Sequence, residues 1–528
     1  MLHLTSCHAL KALMDRGGAH ALFDVREQGE YAAGQIWLAT SLPRRAIEFR
    51  LSELVPVRQT PVVVYDEGGE RASLAAATMA RMGYGEVSVL EGGLPAWEAA
   101  GYPTVTGVNV PSKAFGERVH ARGAIPEITP EELEKRRARG ERLLLLDTRT
   151  PKEYRRSTIP GALNVPGGEL ILLADDLARD PATTVVVNCG GRTRSIIGTQ
   201  ALRRLGLANV TSLKNGTMGW VLAGLDLERG ATREPPRPSP ESRRTAEILA
   251  GRVAAAEQVP LISVSDLLTL RAKADRETLY LFDVRSQGEY AAGHIPGAIW
   301  VPGGQAVQQT DDHVAVRSAT IVLTCDGIAR SVMAAAWFRQ MGLRGACVLE
   351  GGSRAWVERG EPLEQGTPAR RPFGLDQARA GVRRITASEL VARLWEPRWP
   401  LILDVGTSRE FEARHLPGAR WLPRGWLELK IGMLASDHRD PIVVSCGNGD
   451  QSMLAAATLG ELGYGEVSVL EGGLQSWSDA GHRFETGLTD AIVEPNDVWL
   501  SPNLTGDRGA MLRYLRWEIA LGQERDAR

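Results

Sequence analysis

Three cysteines stand where chemistry is to be expected. Cys189, Cys325 and Cys446 each follow an apolar run and open a Gly-bearing loop, in the segments CGGRTRS, CDGIARS and CGNGDQS. A backbone rich in glycine can curl so that successive N–H groups point inward and form a nest for an anion. The segment that follows aims the positive end of a helix at the same spot. Arg194 and Arg330, each five residues beyond its cysteine, add a fixed positive charge, and Arg192 gives its loop a second one. Such surroundings favour thiolate over thiol and lower a cysteine pKa from about 8.5 into the range of roughly 3.5–7.5. The expected chemistry is nucleophilic attack by sulfur, with the adduct held as an anion. A lone cysteine after a strand is more simply a small core residue. Three at one repeated offset, two of them with arginine at the same distance, call for another reading.

The offset belongs to a fourfold repeat. Asp24, Asp147, Asp283 and Asp404 each lie 42 residues before the position held by Asp66, Cys189, Cys325 and Cys446. A further 25 residues bring Glu91, Lys214, Glu350 and Glu471, in LEGG or LKNG segments, and six more bring Trp97, Trp220, Trp356 and Trp477. Each repeat is large enough to bury its own core, so these are tandem domains and not short solenoid units. Expected bounds are 1–105, 125–232, 258–365 and 383–486 for modules 1 to 4, with a tail over 487–528. Helical spacing within 507–523 predicts a helix that docks back on the protein. The proline-rich 232–245 reads as the main linker, dividing the chain into two halves of two modules. Softer joints are expected near 105–124 and 366–382. Cys7 precedes the first core pattern, and Cys347 lies within a strand-like run, so both read as structural.

Within a module, apolar runs such as ALFDV, PVVVYD and EVSVLEGG predict strands, and RASLAAATMARMG (71–83) predicts a helix. Continuous apolar strands alternating with helices imply an α/β fold, a parallel sheet flanked by helices on both faces. Sites in such sheets form at the carboxyl ends of strands, where each cysteine loop falls. The Asp-x-Arg pairs (Asp147 with Arg149, Asp283 with Arg285) read as ion pairs shaping the sheet end, and the repeated Trp as a core anchor.

Composition narrows the function. Lys+Arg 62 against Asp+Glu 64 gives a net charge of -2, without the basic excess of a nucleic-acid binder. No apolar run reaches the roughly 18 residues that span a membrane, and the N-terminus lacks secretory-signal features. Five cysteines in 528 residues do not make a disulfide framework, and a reducing, cytoplasmic setting is expected. His294 and His415 have no second ligand set nearby, so no metal and no cofactor is expected.

The pattern DVRxxxEYxxGHIPGA (283–298), then Cys-x-x-x-x-Arg-Ser, then LEGGxxxW, resembles the rhodanese family of sulfurtransferases across all four modules. The resemblance implies a five-stranded parallel sheet in each module. It also implies transfer of a sulfane sulfur from a small anionic donor such as thiosulfate to a thiol or cyanide, through a cysteine persulfide. Carried over by position, Cys189 and Cys325 would be nucleophiles and Arg194 and Arg330 would bind the donor. Amides around Gly190, Gly191 and Gly327 would hold the persulfide. Module 1 departs, with Asp66 at the cysteine position and Glu67 and Glu70 beside it. By analogy with two-module relatives, it is expected to be inactive and to pack against module 2. Module 4 keeps Cys446 but has Gln451 for the loop arginine and Gly406 for the Asp-x-Arg arginine, so a weaker nucleophile is expected. With Arg192 as well as Arg194, Cys189 ranks first.

Two rivals were weighed. Phosphatases related to this fold place arginine six residues after cysteine, whereas the interval here is five. A non-catalytic scaffold or sulfur carrier fits module 1 but leaves two intact loops unexplained.

Overall fold

The computed structural model of the protein describes residues 3–369 and 371–523. The ends of the first and last expected segments, 1–2 and 524–528, lie outside the described residues.

Each module is built on a five-stranded sheet of parallel strands with one strand order. In module 2 that order is Leu163–Asn164, Leu143–Asp147, Thr184–Asn188, Val210–Leu213 and Glu127–Ile128. The central strands are runs of β-branched and aliphatic residues, which suit a sheet buried on both faces. Val185, Val186 and Val187 have almost no exposure. Register pairs Asp147 with Asn188, Asp283 with Thr324, and Asp404 with Ser445. The acid of each Asp-x-Arg position is thereby set beside the residue preceding the cysteine. The repeated tryptophans are buried anchors, as expected, and Trp220 donates its indole N–H to Asp226 O at 2.9 Å.

The modules pair differently from the expected halves. One compact unit contains His20–Val108 and Ala369–Trp499, that is modules 1 and 4, and the other contains Asn109–Pro368 and the chain from Leu500 onward, with modules 2 and 3. Module 1 is therefore a partner of module 4 and not of module 2. In the first unit the contact is reciprocal. Arg44 donates to Glu428 at 2.6 and 3.0 Å, and Arg424 to Glu48 at 2.6 and 2.8 Å. In the second unit, Gly167 and Gly168 of module 2 meet Gly303 and Gly304 of module 3. A Cβ on Gly168 would lie 3.2 Å from Gly303 Cα, so the backbones approach as only glycine permits.

The expected linker is a brace. Pro240, the last of its prolines, opens helix Pro240–Ala256, where its missing N–H costs nothing, and Ser239 caps it. Ser242 donates to Leu172 O in module 2, while Glu247 accepts from Ile328 in module 3. The joint expected near 105–124 is likewise mostly helix, Val110–Gly123, whose Phe115 meets Trp337 of module 3 at 5.7 Å between ring centres. Helix Leu375–Gly381 occupies the third joint. The tail forms helix Arg508–Ala520, docked on module 2 through Met511 and Leu515 against Met218. Cys347 is a core residue of strand Ala346–Leu349, and burial pushes its thiol up to about 11.

Candidate active site

The four cysteine-position loops can be compared atom by atom, and module 1 displays what the loop is built to hold. Asp66 places its carboxylate where the sulfur would be and accepts from the backbone N–H of Gly68, Gly69 and Ala72 at 2.8, 3.0 and 2.9 Å. The cradle is thus an anion site, made from the amides two, three and six residues on. Arg71, at the loop-arginine position, is held by Glu30 and Glu67. In module 4, Cys446 Sγ accepts from the N–H of Gly449 and Ser452 at 3.2 and 3.3 Å, two of the same positions.

In module 2, strand Thr184–Asn188 delivers Cys189 to the loop and helix Thr193–Arg204 leaves it. Cys189 is nearly buried, yet its loop lines a cavity of about 120 Å³. Its thiol donates to Ser195 Oγ at 3.5 Å, and Ser195 in turn donates to Arg192 O at 2.8 Å. The loop is backed by the second residue of the LKNG turn. Gly216 has φ +52°, and a Cβ there would lie 2.2 Å from Cys189 O. Gly190 O accepts from the N–H of Met218 at 3.1 Å, and Gly191 lies against Met218 and Glu518.

The arginines around Cys189 are all paired. Arg149 is bound to Asp147 at 2.7 Å, both shaping the sheet end and lining the cavity. Arg192 turns to Glu117 at 2.6 and 3.0 Å and to Glu127, so its charge is neutralised by carboxylates. Arg194 reaches Glu153 at 2.9 and 2.7 Å and Gln305 at 3.2 Å. Burial raises the Glu153 carboxyl, but the charge and hydrogen bonds of Arg194 outweigh it and hold it well below the usual carboxylate range.

Module 3 is closed. Cys325 has no exposure, and Ser331 Oγ is 3.4 Å from its sulfur. Arg330 is clamped by Glu169, Glu289 and Asp326. Gly327 packs against Glu247, whose carboxylate accepts from the N–H of Ile328 and Ala329 at 2.9 and 3.3 Å. Burial pushes the Cys325 thiol up, against the pull of Arg330, so this loop does not give the easily ionised sulfur its sequence suggests. Cys446 is pushed up as well, first by burial and further by Asp404. With Gly406 where arginine would pair it, Asp404 is raised by burial to about 7. Gln451 donates to Arg45 O and accepts from Arg424.

Several residues of these sites had no motif to mark them. The serine six residues after each cysteine (Ser195, Ser331, Ser452) was visible in the repeat as the last residue of each loop segment. Lys113, Tyr514, Glu518 and Glu247 come from helices outside the modules. Glu518 accepts from Thr193 Oγ1 at 2.6 Å, so the tail helix forms part of the Cys189 cavity. Among the described residues there is no cluster of three or more His, Cys, Asp or Glu placed to hold a metal, and no helix long and apolar enough to cross a membrane.

Comparison with known proteins agrees with this architecture. The rhodanese-like domain family matches at residues 6–100, 129–223, 264–359 and 386–480. The crystal structure of a thiosulfate sulfurtransferase from Pseudomonas aeruginosa is 37% identical, covering 99% of this chain and 97% of that one, with a TM-score of 0.91. A sulfurtransferase of Allochromatium vinosum is 40% identical over 84 residues, which are 16% of this chain and 77% of that protein. Thiosulfate sulfurtransferase GlpE of Stutzerimonas stutzeri is 35% identical over 77 residues, 15% of this chain and 69% of that protein. The match to SseB of Mycobacterium tuberculosis spans 43% of that protein's length. With four matched domains, each on the same five-stranded sheet, the chain belongs to the rhodanese-like domain family of sulfurtransferases and carries the domain in four tandem copies.

Proposed function

We propose that the protein transfers sulfane sulfur from thiosulfate, or a similar small anionic donor, to a thiophilic acceptor such as cyanide or a thiol, with Cys189 as the working nucleophile. The observation that carries this reading is that Cys189 joins the anion-cradle loop to a cavity, whereas the loops of Cys325 and Asp66 are filled by internal carboxylates. The Cys189 thiolate attacks the outer sulfur of thiosulfate. The sulfur–sulfur bond breaks, sulfite leaves with the electron pair, and a persulfide remains. Cyanide then attacks the outer persulfide sulfur, yielding thiocyanate and restoring the thiolate. By analogy with Asp66, the amides of Gly191, Arg192 and Ser195 are positioned to hold the charged sulfur. Ser195 supports the thiol. Arg194 supplies positive charge at the wall, and Gly190 lets the loop turn under Met218. Cys325 with Arg330 and Gly327, and Cys446 with Gln451, are secondary sites. The five free cysteines suit a reducing compartment such as the cytoplasm.

The test is intact-mass analysis of the full chain after thiosulfate treatment, with Cys189→Ser, Cys325→Ser and Cys446→Ser compared. The wild type should gain one sulfur atom, and only Cys189→Ser should lose both that adduct and thiosulfate:cyanide turnover. Undiminished turnover by Cys189→Ser would overturn the assignment.

A further inference from the structure

We propose that Lys113, with the phenol of Tyr514, forms the subsite that anchors the anionic end of the donor facing Cys189. The proposal builds on the transfer reaction above and adds to it a binding group from outside the rhodanese fold. Lys113 belongs to helix Val110–Gly123, which precedes module 2, and Tyr514 to the tail helix Arg508–Ala520. Both line the cavity that contains Cys189.

Three observations lead to these residues. First, each arginine of the cavity is already engaged: Arg149 by Asp147, Arg192 by Glu117, and Arg194 by Glu153. A guanidinium fixed to a carboxylate presents little net charge to an incoming anion. Second, Lys113 is only 3% exposed, although burying an ammonium is costly. Its Nζ lies 5.1 Å from the ring centre of Tyr514 and 5.0 Å from that of Trp517, so aromatic faces help to hold the charge there. Third, burial raises the Tyr514 phenol well above 10, which keeps its O–H protonated as a donor. A compact ammonium beside a phenol suits the end of thiosulfate remote from the transferred sulfur.

A pH signature accompanies this geometry. Burial lowers Lys113 to about 8, opposed first by the charge of Glu518. The other charges acting on it are Asp311 and Asp312, from helix Thr310–His313, and Arg194, from the cysteine loop. Asp311 is itself raised by burial to about 7. Lys113 therefore carries its charge below pH 8 and loses it above, so anion recognition weakens as pH rises through about 8.

The experiment compares alkylation of Cys189 by iodoacetate, an anion, and iodoacetamide, its neutral analogue, in the full-length protein with peptide mapping. Thiolate ionisation affects both reagents and cancels in their rate ratio. In Lys113→Met the iodoacetate/iodoacetamide ratio should fall about tenfold or more, with Lys113→Arg restoring much of it and Tyr514→Phe giving a smaller drop. In the wild type the ratio should fall as pH is raised from about 7 to about 9, a readout that needs no variant to fold. A ratio unchanged in Lys113→Met, or flat with pH in the wild type, would overturn the subsite. A ratio that shifts as expected in a protein that takes no sulfur from thiosulfate would keep the anion subsite and remove the transfer reaction.

Discussion

Glu153 grips Arg194 through two parallel hydrogen bonds, 2.9 and 2.7 Å long, at the wall of the Cys189 cavity. The pair makes the arginine less a free anion binder than a cover for a carboxylate. Removing the guanidinium would uncover Glu153 beside an anionic donor. Arg194→Ala should therefore lower kcat/KM for thiosulfate by roughly 10- to 150-fold. Arg194→Ala with Glu153→Gln should recover most of that loss, whereas a direct arginine–donor contact would leave the double variant as weak as the single one. Steady-state thiosulfate:cyanide kinetics read the difference.

Cys325 should react slowly until Glu247 is removed. The carboxylate of Glu247 takes two amides of its loop, and Arg330 is held by three others. Glu247→Ala should speed alkylation of Cys325 by about tenfold or more while leaving the Cys189 rate unchanged. Peptide mapping after timed iodoacetamide treatment supplies both rates.

Asp66 should be worth more as a structural anion than as a vacant catalytic position. Its carboxylate satisfies three backbone N–H groups. Asp66→Ala should cost about 1.5–3 kcal/mol, seen as a lower Tm for the unit that contains module 1. Asp66→Cys should take up no sulfur from thiosulfate, because Arg71 remains paired with Glu30 and Glu67. Mass analysis of that variant tests it.

The arginine missing from module 4 should leave a pH dependence. Asp404 titrates at about 7 in the folded protein against an ordinary 3.8, so the folded state holds its proton more tightly than the unfolded state. Stability from this group is fully present below about pH 4 and is lost as pH rises toward about 7. Gly406→Arg should restore the pair seen at Asp283 and Arg285. It should raise Tm more at about pH 8, where Asp404 is charged, than at about pH 5, where it is protonated. Equal gains at both values, by calorimetry, would show that charge pairing is not the cause.

The reciprocal pairs between modules 1 and 4 should behave as buried ion pairs. Burial raises Glu48, but Arg424 outweighs it and holds the carboxyl below its ordinary value. Glu48→Ala leaves Arg424 without its buried carboxylate and should cost about 3–5 kcal/mol. The Cys189 alkylation rate should stay unchanged, since that cysteine belongs to the other unit.

The sequence revealed a great deal about each module and little about the relations among modules. The Asp, Cys and Trp spacings foretold the sheet, because each marks a strand end or helix that the fold needs in every copy. The pairing went unseen because a proline-rich stretch was read as a break. Pro240 instead starts a helix, and partner choice rests on side chains such as Arg44 and Glu428, which carry no motif. The loops were legible as chemistry, but whether each was open was not. Glu247 and Glu518 close in from helices 78 and 329 residues from the cysteines they approach, and Lys113 is one ordinary lysine in a helix that read as a joint.

The pairing of module 1 with module 4 also sets a timetable for synthesis. Between Val108 and Ala369 the ribosome must make the 260 residues of 109–368. At roughly 5–20 residues per second that takes about 13–50 s. Throughout that interval module 1 exposes the face that will receive module 4. Arg44, Arg45 and Glu48 lie on that face, and water solvates such side chains well while they have no partner. A wholly apolar face would spend the same interval open to aggregation with other nascent chains.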